Sequence, residues 1–333
     1  MPGRSSFSRR RPGNSAHTGA RGSTGWDTMD DMTDVVVVGA GIIGLTAAVR
    51  LQQAGAEVEV WSPVDPVETV SAVAAAVWYP TRTDYDPRVL TWAGATYDEF
   101  NRQAAAGVPG VSLRATRNLG RGPGDGVPWW APAAGGVDLR ETEVRFVAPL
   151  VEMDTYLPWL QTRLARAIVR RAVDRLEEAF AEAPVVVNAT GLAAGKLCGD
   201  PAVHPARGQI VLVANPGVQV SIRGAGAEPG TYVHPRSRDV VLGGTFQQDD
   251  WNLIPDPATR DAILARCVAL VPELAGAPIV GEKVGLRPSR HGGPRVEAER
   301  ARAGTIVHAY GHGGAGMTLS WGCADEVTAL ALG

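Results

Sequence analysis

The stretch Asp34-Val-Val-Val-Val-Gly39-Ala40-Gly41-Ile42-Ile43-Gly44-Leu-Thr-Ala-Ala-Val-Arg-Leu51 decides how the rest of the chain is read. Four consecutive valines suit a parallel strand covered on both faces, because β-branched side chains pack well on a buried pleated surface. Three glycines follow at the spacing G-x-G-x-x-G, and Ile42, Ile43, Leu45, Ala48, Val49 and Leu51 then recur along one side of a helix. Strand, glycine turn and helix in that order are the context in which this spacing signals a dinucleotide. Gly39 permits the tight turn, Gly41 lets the backbone approach a pyrophosphate, and Gly44 lets the helix lie close to the strand. The free N–H groups and positive end of the helix then face the phosphates. A second strand over residues 57–62 completes a βαβ unit, so dinucleotide binding outweighs the plain alternative of a glycine-rich turn.

Working outward, 333 residues exceed what one small core holds and suggest two domains. The chain is 45% hydrophobic and 20% charged, the balance of a soluble globular protein. The net charge is −3, and no basic field for nucleic acid follows from it. Cys198, Cys267 and Cys323 form no C-x-x-C pair, which argues against a disulfide framework and fits a reducing, cytoplasmic setting. No apolar run reaches the length of a membrane span. Residues 1–32 are rich in Arg, Gly and Ser with few large apolar side chains, and are expected to form a disordered tail. The residues after Arg9-Arg10-Arg11 are not apolar, which rejects an export signal.

Past the βαβ unit comes the small-residue run Thr69-Val-Ser71-Ala-Val-Ala-Ala75-Ala76-Val77-Trp78-Tyr79-Pro80. Two readings stay open there: close backbone approach to a planar ligand, or a buried alanine-rich helix. A helix is expected over 87–103, hairpins and loops over 107–136, a helix over 154–167 and a strand over 169–173. Pro184-Val-Val-Val-Asn188-Ala-Thr190-Gly191 reads as a second buried strand ending in small polar residues, a place where open α/β sheets take ligands. Strands without interleaved helices over 208–246 suggest a mostly antiparallel region. An amphipathic helix over 258–274 and a short strand or loop over 284–288 follow. A strand over 305–309, the turn His308-Ala-Tyr310-Gly-His312-Gly313-Gly314-Ala315-Gly316-Met317-Thr318 and a helix over 319–332 end the chain. That turn is in outline a second anion cradle. His308 and His312 lie four apart, but the glycines between and after them break any helix, so they are read as structural and no metal is expected.

Two glycine cradles gripping one dinucleotide are a flavoprotein pattern, and here a resemblance becomes specific. Val38-Gly-Ala-Gly-Ile-Ile-Gly-Leu45, residues 72–80, Tyr156-Leu-Pro-Trp-Leu160, Val187-Asn-Ala-Thr-Gly191, Arg207-Gly-Gln-Ile210, Gly243-Gly-Thr-Phe246, Gly285-Leu-Arg-Pro288 and residues 308–324 resemble the D-amino-acid oxidase family. The run H-x-Y-G-H-G-G-x-G-M-T followed by W-G-C-A carries most of that weight. The resemblance implies an α/β fold: a Rossmann-type FAD-binding domain (33–85, 141–205 and 283–333) interleaved with a mostly antiparallel α+β substrate domain (86–140 and 206–282). It implies FAD as cofactor, with Gly39, Ala40, Gly41, Ile42, Ile43 and Gly44 at the pyrophosphate. Thr69, Ser71 and the backbone of Ala75, Ala76, Val77 and Trp78 would line the flavin. Val173, Thr190 and Gly191 would lie along the adenosine and ribityl part. Gly313, Gly314, Ala315, Gly316, Met317 and Thr318 would close over the isoalloxazine edge.

For the substrate, a small D-amino acid, the resemblance implies that Arg287 pairs with the carboxylate and Tyr232 donates its hydroxyl to it. The Gly314 carbonyl would accept from the amine. A planar guanidinium suits a carboxylate through two parallel bonds and stays charged at any working pH. The implied reaction is hydride transfer to the flavin N5, giving a 2-oxo acid, ammonia and, with molecular oxygen as acceptor, hydrogen peroxide. Members of this group often pair, so a homodimer is open. Two departures stand out. The second strand ends Val60-Trp61-Ser62-Pro63 with no acid for the adenosine ribose, Asp65 being nearest. Glu228 stands where animal members carry a lid tyrosine, which implies a more open pocket and faster product release. The rival readings are a D-aspartate oxidase, needing an extra cation from Arg236, Arg238 or Arg290, and a glycine or sarcosine oxidase. A nicotinamide-dependent dehydrogenase and a non-catalytic flavin-binding relative complete the alternatives.

Overall fold

The valine run forms strand Val35–Val38, buried at every position. Val58–Ser62 flanks it on one side and Val185–Asn188 on the other, both parallel, with Val35 opposite Val58 and Val185. Gly304–Tyr310 and Val169–Arg170 extend the parallel set outward, and Arg295–Ala301 adds an antiparallel edge, making a six-stranded sheet. All five parallel strands end on one edge. The glycine turn, residues 62–64, 171–173, 189–191 and 311–314 all leave from that edge. The computed structural model describes residues 33–80, 86–122, 124–224 and 230–333, so the expected tail 1–32 and the lid position Glu228 lie outside the described residues.

A nine-stranded sheet is built from 111–151 and 203–290. Its centre is the long strand Val203–Val213, which pairs antiparallel with Val240–Gly243 and along its whole length with Ile279–Arg290. Tyr232–Pro235, Ser221–Arg223, Val111–Leu119 and Glu143–Val151 continue it, antiparallel except where Ser221–Arg223 meets Val111–Leu119. Helix Pro257–Leu270 covers one face through Ile263 and Cys267, both fully buried among the valines of this sheet.

Several elements differ from the sequence expectation. Residues 284–288 lie inside the 12-residue strand Ile279–Arg290. Gly281, Gly285 and Pro288 break the alternation along the chain, yet the ladder to Val203–Val213 holds them, with Gly285 opposite Gly208. The 107–136 region contains one long strand, Val111–Leu119, whose partner Glu143–Val151 is distant in sequence. The small-residue run is no α-helix: a short 3-10 turn, Val70–Val73, gives way to extended chain in which Val77 bridges Leu150. Helix Met153–Gln161 ends earlier than expected, and Pro272 stops the next long helix at Leu270.

Three helices pack close together behind the six-stranded sheet. Thr46 of helix Ile42–Gln53 donates its hydroxyl to the Ser320 carbonyl of helix Gly316–Leu332 at 3.2 Å. Helix Pro87–Ala105 approaches so closely that a Cβ on Gly322 would stand 2.4 Å from the Trp92 Cα. The Thr96 hydroxyl there accepts from the amides of Trp321 and Gly322 at 3.1 and 3.0 Å.

Candidate active site

A cavity of about 990 Å³ runs along the carboxyl edge of the six-stranded sheet and reaches the nine-stranded one. Both glycine turns line it. At the first, Gly39 has φ +116°, and a Cβ there would stand 2.3 Å from the Ala189 carbonyl oxygen, so only glycine fits. Gly41 is the residue before helix Ile42–Gln53, and its side-chain-free position offers no cap. Instead the Ile42 amide donates to the Ser71 hydroxyl at 3.0 Å, so the next loop reaches onto the positive end of the helix. Ala40, Ile43, Thr69, Ala75 and Val77 line the same space. Ala76 does too, in a left-handed backbone with φ +52°, a conformation that favours glycine.

Val173, Thr190 and Gly191 line the cavity from neighbouring strand ends, and Thr190 is anchored by its hydroxyl donating to Asn188 Oδ1 at 2.7 Å. From the second turn come Gly313, Gly314, Gly316, Met317 and Thr318 at the start of the 17-residue helix Gly316–Leu332. Thr318 Oγ1 accepts from the Tyr79 amide at 3.1 Å, joining that turn to the small-residue run. Two glycine turns and two helix N-termini on one elongated space fit an extended dinucleotide with a planar end.

Three of the expected contacts do not line this space. Trp78 is fully buried, its indole N–H donating to the Ala93 carbonyl at 3.0 Å. Ala315 is fully buried beneath its turn. A Cβ on Gly44 would stand 1.8 Å from the Gly39 carbonyl oxygen, so this glycine serves strand–helix approach alone. These residues support the walls instead of touching the cavity.

At the far end lie Arg287 and Tyr232, each laid across a glycine of the adjacent strand. A Cβ on Gly208 would meet the Arg287 guanidinium at 2.3 Å, and one on Gly243 would meet the Tyr232 ring at 1.8 Å. Arg287 Nη1 donates to the Thr245 carbonyl at 3.1 Å and to that of Ala206 at 3.4 Å, and the guanidinium lies 5.4 Å from the Phe246 ring centroid. Tyr232 stacks on His234 with centroids 4.6 Å apart. His234 is buried and sits 2.6 Å from the Ser221 hydroxyl; burial, and then the nearby Arg223 charge, hold its pKa well below the ordinary value.

Arg223 is one residue that sequence reasoning missed. It lines the cavity, with its guanidinium 4.3 Å from the Tyr79 ring centroid and 5.6 Å from that of Tyr232. The extra cations named from sequence for a second carboxylate do not line it. Arg236 is paired with Asp239 at 2.6 Å, Arg238 with Asp154 at 3.2 Å and Arg290 with Asp200 at 2.8 Å. Arg295 pairs with Glu297 at 2.7 Å and donates to the Tyr310 hydroxyl at 3.0 Å. His308 lies between Asn188 and Glu299 at 3.2 and 3.1 Å. His312 is buried with Nε2 3.3 Å from Cys323 Sγ, and burial lowers its pKa to about 4.

A model of the DAO family, FAD dependent oxidoreductase, matches residues 34–149 and 151–330. The chain is 47% identical to a D-amino-acid oxidase from Rubrobacter xylanophilus, covering 89% of this chain and 95% of that one. It is 36% identical to a D-aspartate oxidase from Homo sapiens, covering 90% and 95% respectively. Among solved structures, the glycine oxidase from Bacillus cereus superposes with TM-score 0.73 at 18% identity over 90% of this chain and 94% of that one, a likeness of fold.

Proposed function

The chain belongs to the family of FAD dependent oxidoreductases, and from that premise we propose that it is an oxidase of D-amino acids, converting them to 2-oxo acids, ammonia and hydrogen peroxide. The observation that carries this reading is that Arg287 and Tyr232 line the same cavity as both glycine turns. The fit to FAD rests on those turns, where Gly39 admits no side chain and Gly41 and Ile42 line the cavity at the start of the helix. When bound there, FAD supplies the two-electron sink for oxidising the substrate's carbon–nitrogen bond.

The chain's own residues bind and orient. Arg287 takes the substrate carboxylate in two parallel charge-assisted bonds, and the Thr245 carbonyl keeps the guanidinium from swinging away. The Tyr232 hydroxyl donates to the same carboxylate, its ring held flat by His234. The Gly314 carbonyl accepts from the amine and fixes the position of its nitrogen. These anchors hold two substituents of the reacting carbon, the carboxylate and the amine, so positioning carries the reaction, and an amine that is already deprotonated needs no side-chain base. His234 is neutral and bonded to Ser221, which suits a support and not a proton carrier. The division into an FAD part and a substrate part at the boundaries given above belongs to this proposal. So does a cytoplasmic setting, supported by three free cysteines.

Purified holoenzyme under nitrogen tests the reading. Added D-alanine bleaches the yellow absorbance and L-alanine does not; a spectrum that no D-amino acid changes rejects it. Arg223 favours a second reading of the substrate range, toward D-amino acids with an acidic side chain, because it puts a cation beside Tyr232. Arg223→Leu then lowers kcat/KM for D-aspartate at least about tenfold relative to D-alanine, the worth of one charge-assisted bond. An unchanged ratio removes Arg223 from that role.

A further inference from the structure

The end of the cavity opposite Arg287 carries an assignment of its own. Going outward from the fingerprint strand, the sheet continues with Val58–Ser62 and then Val169–Arg170. Pyrophosphate at the first glycine turn and a planar end toward Tyr232 leave the adenosine to lie across the ends of these two strands. The first of them ends in Ser62, Pro63 and Val64, which line the cavity without a carboxylate. Asp65 does not line it and is paired with Arg170 at 2.8 Å. Glu68 lines it, but its Oε2 accepts from the Asp65 amide at 2.8 Å and so closes the local turn.

Arg171 stands in this gap. Its amide donates to the Ser62 carbonyl at 3.1 Å, which ties residue 171 to the end of the second strand. Its guanidinium lies 3.9 Å from the ring centroid of Trp61, a fully buried indole, and it lines the cavity. Its carboxylate neighbour Glu178 is 4.0 Å away, at the limit of an ion pair. A guanidinium stacked on a rigid ring is pre-organised, with in-plane N–H donors and a second π-face available to a neighbouring plane.

We infer that Arg171, held on Trp61, is the adenosine-end anchor of this protein, doing with a cation what a carboxylate does in the common dinucleotide fingerprint. It stacks on or donates to the adenosine, and it touches neither the flavin end nor the substrate. The inference rests on the FAD reading above, and the experiment separates the two. Flavin fluorescence quenching on titrating apoprotein gives dissociation constants for FAD and for FMN, which lacks adenosine. Arg171→Ala weakens FAD binding about tenfold and leaves FMN binding within about twofold of the parent, as expected for one lost charge-assisted contact. Arg170→Ala, at the neighbouring position paired with Asp65, leaves both unchanged and controls for surface charge. Equal loss for FAD and FMN, or no loss for FAD, overturns the assignment of Arg171. Failure of the parent protein to bind FAD at all overturns the cofactor reading instead. Circular dichroism of each variant separates lost binding from lost folding.

Discussion

At the scale of single residues, the proposed grip on the substrate carboxylate depends on one cation, Arg287. Arg287 is half-buried and fastened by backbone carbonyls, so replacing it leaves a buried carboxylate site without its cation. Arg287→Ala is expected to cost about 2–5 kcal/mol of carboxylate binding. A steady-state assay with D-alanine sees this as a fall in kcat/KM, while FAD content stays at parent level. Arg287→Lys restores little, because an ammonium is a point charge and cannot form the paired bonds. A lysine variant with full activity would reject the bidentate role. Residues of this kind were legible where backbone constraint or a run of neighbours marked them. Gly39 and Gly313 stand at positive φ, and such positions reduce the choice to glycine. Arg223 carried no such mark: it ends a three-residue strand, and pairing with Tyr232 on one side and Asn118 on the other brings it to the cavity.

At the scale of elements, the helix packing has one point of least tolerance. Gly322 lets helix Gly316–Leu332 meet the Trp92 backbone, and a methyl there meets main-chain atoms that cannot rotate aside. Gly322→Ala therefore pushes the two helices apart and strains the Thr96 bonds, at about 1–3 kcal/mol for an overpacked core. Thermal unfolding of the holoenzyme measures it, and a melting temperature equal to the parent's would show that the helices yield freely. The second glycine turn sits at the head of that helix, so FAD affinity is expected to fall with stability. The elements that the sequence revealed were those with a local pattern, such as the βαβ unit around the fingerprint. Ile279–Arg290 was not revealed, because its glycines and proline hide the alternation and its ladder comes from a remote strand. The run after Thr69 was ambiguous for a related reason: alanines suit helix or extended chain, and the bridge from Val77 to Leu150 decided it.

At the scale of the molecule, buried histidines set the response to acid. His312 titrates near 4 when folded against an ordinary value of 6.5, and burial lowers His234 and His308 as well. Each takes up a proton less readily when folded, while the unfolded chain takes one up below about pH 6.5. Their stabilising effect is thus full above that pH and is lost as pH falls. A fully suppressed histidine contributes a slope of about 1.4 kcal/mol per pH unit between its two pKa values. Urea unfolding at about pH 7, 6 and 5 is expected to show the midpoint falling, and His312→Asn is expected to flatten that fall. Identical slopes in parent and variant would mean that His312 is not neutral when folded. The carboxylates with lowered pKa, Asp86 and Asp200 among them, add their losses at lower pH than this window.

The two empty positions under Arg287 and Tyr232 bear on how this protein can change over generations. Gly208 and Gly243 hold open the places where those side chains lie, one strand away from each. Any side chain added at 208 evicts the guanidinium, and a smaller residue at 287 that would make room for it abandons the acid group. If Arg287 plays its proposed role, either order of change passes through a form without its carboxylate-binding cation, so this pair resists natural drift. New preferences are then expected at cavity positions such as Tyr79 and Arg223, whose side chains no glycine of a neighbouring strand accommodates.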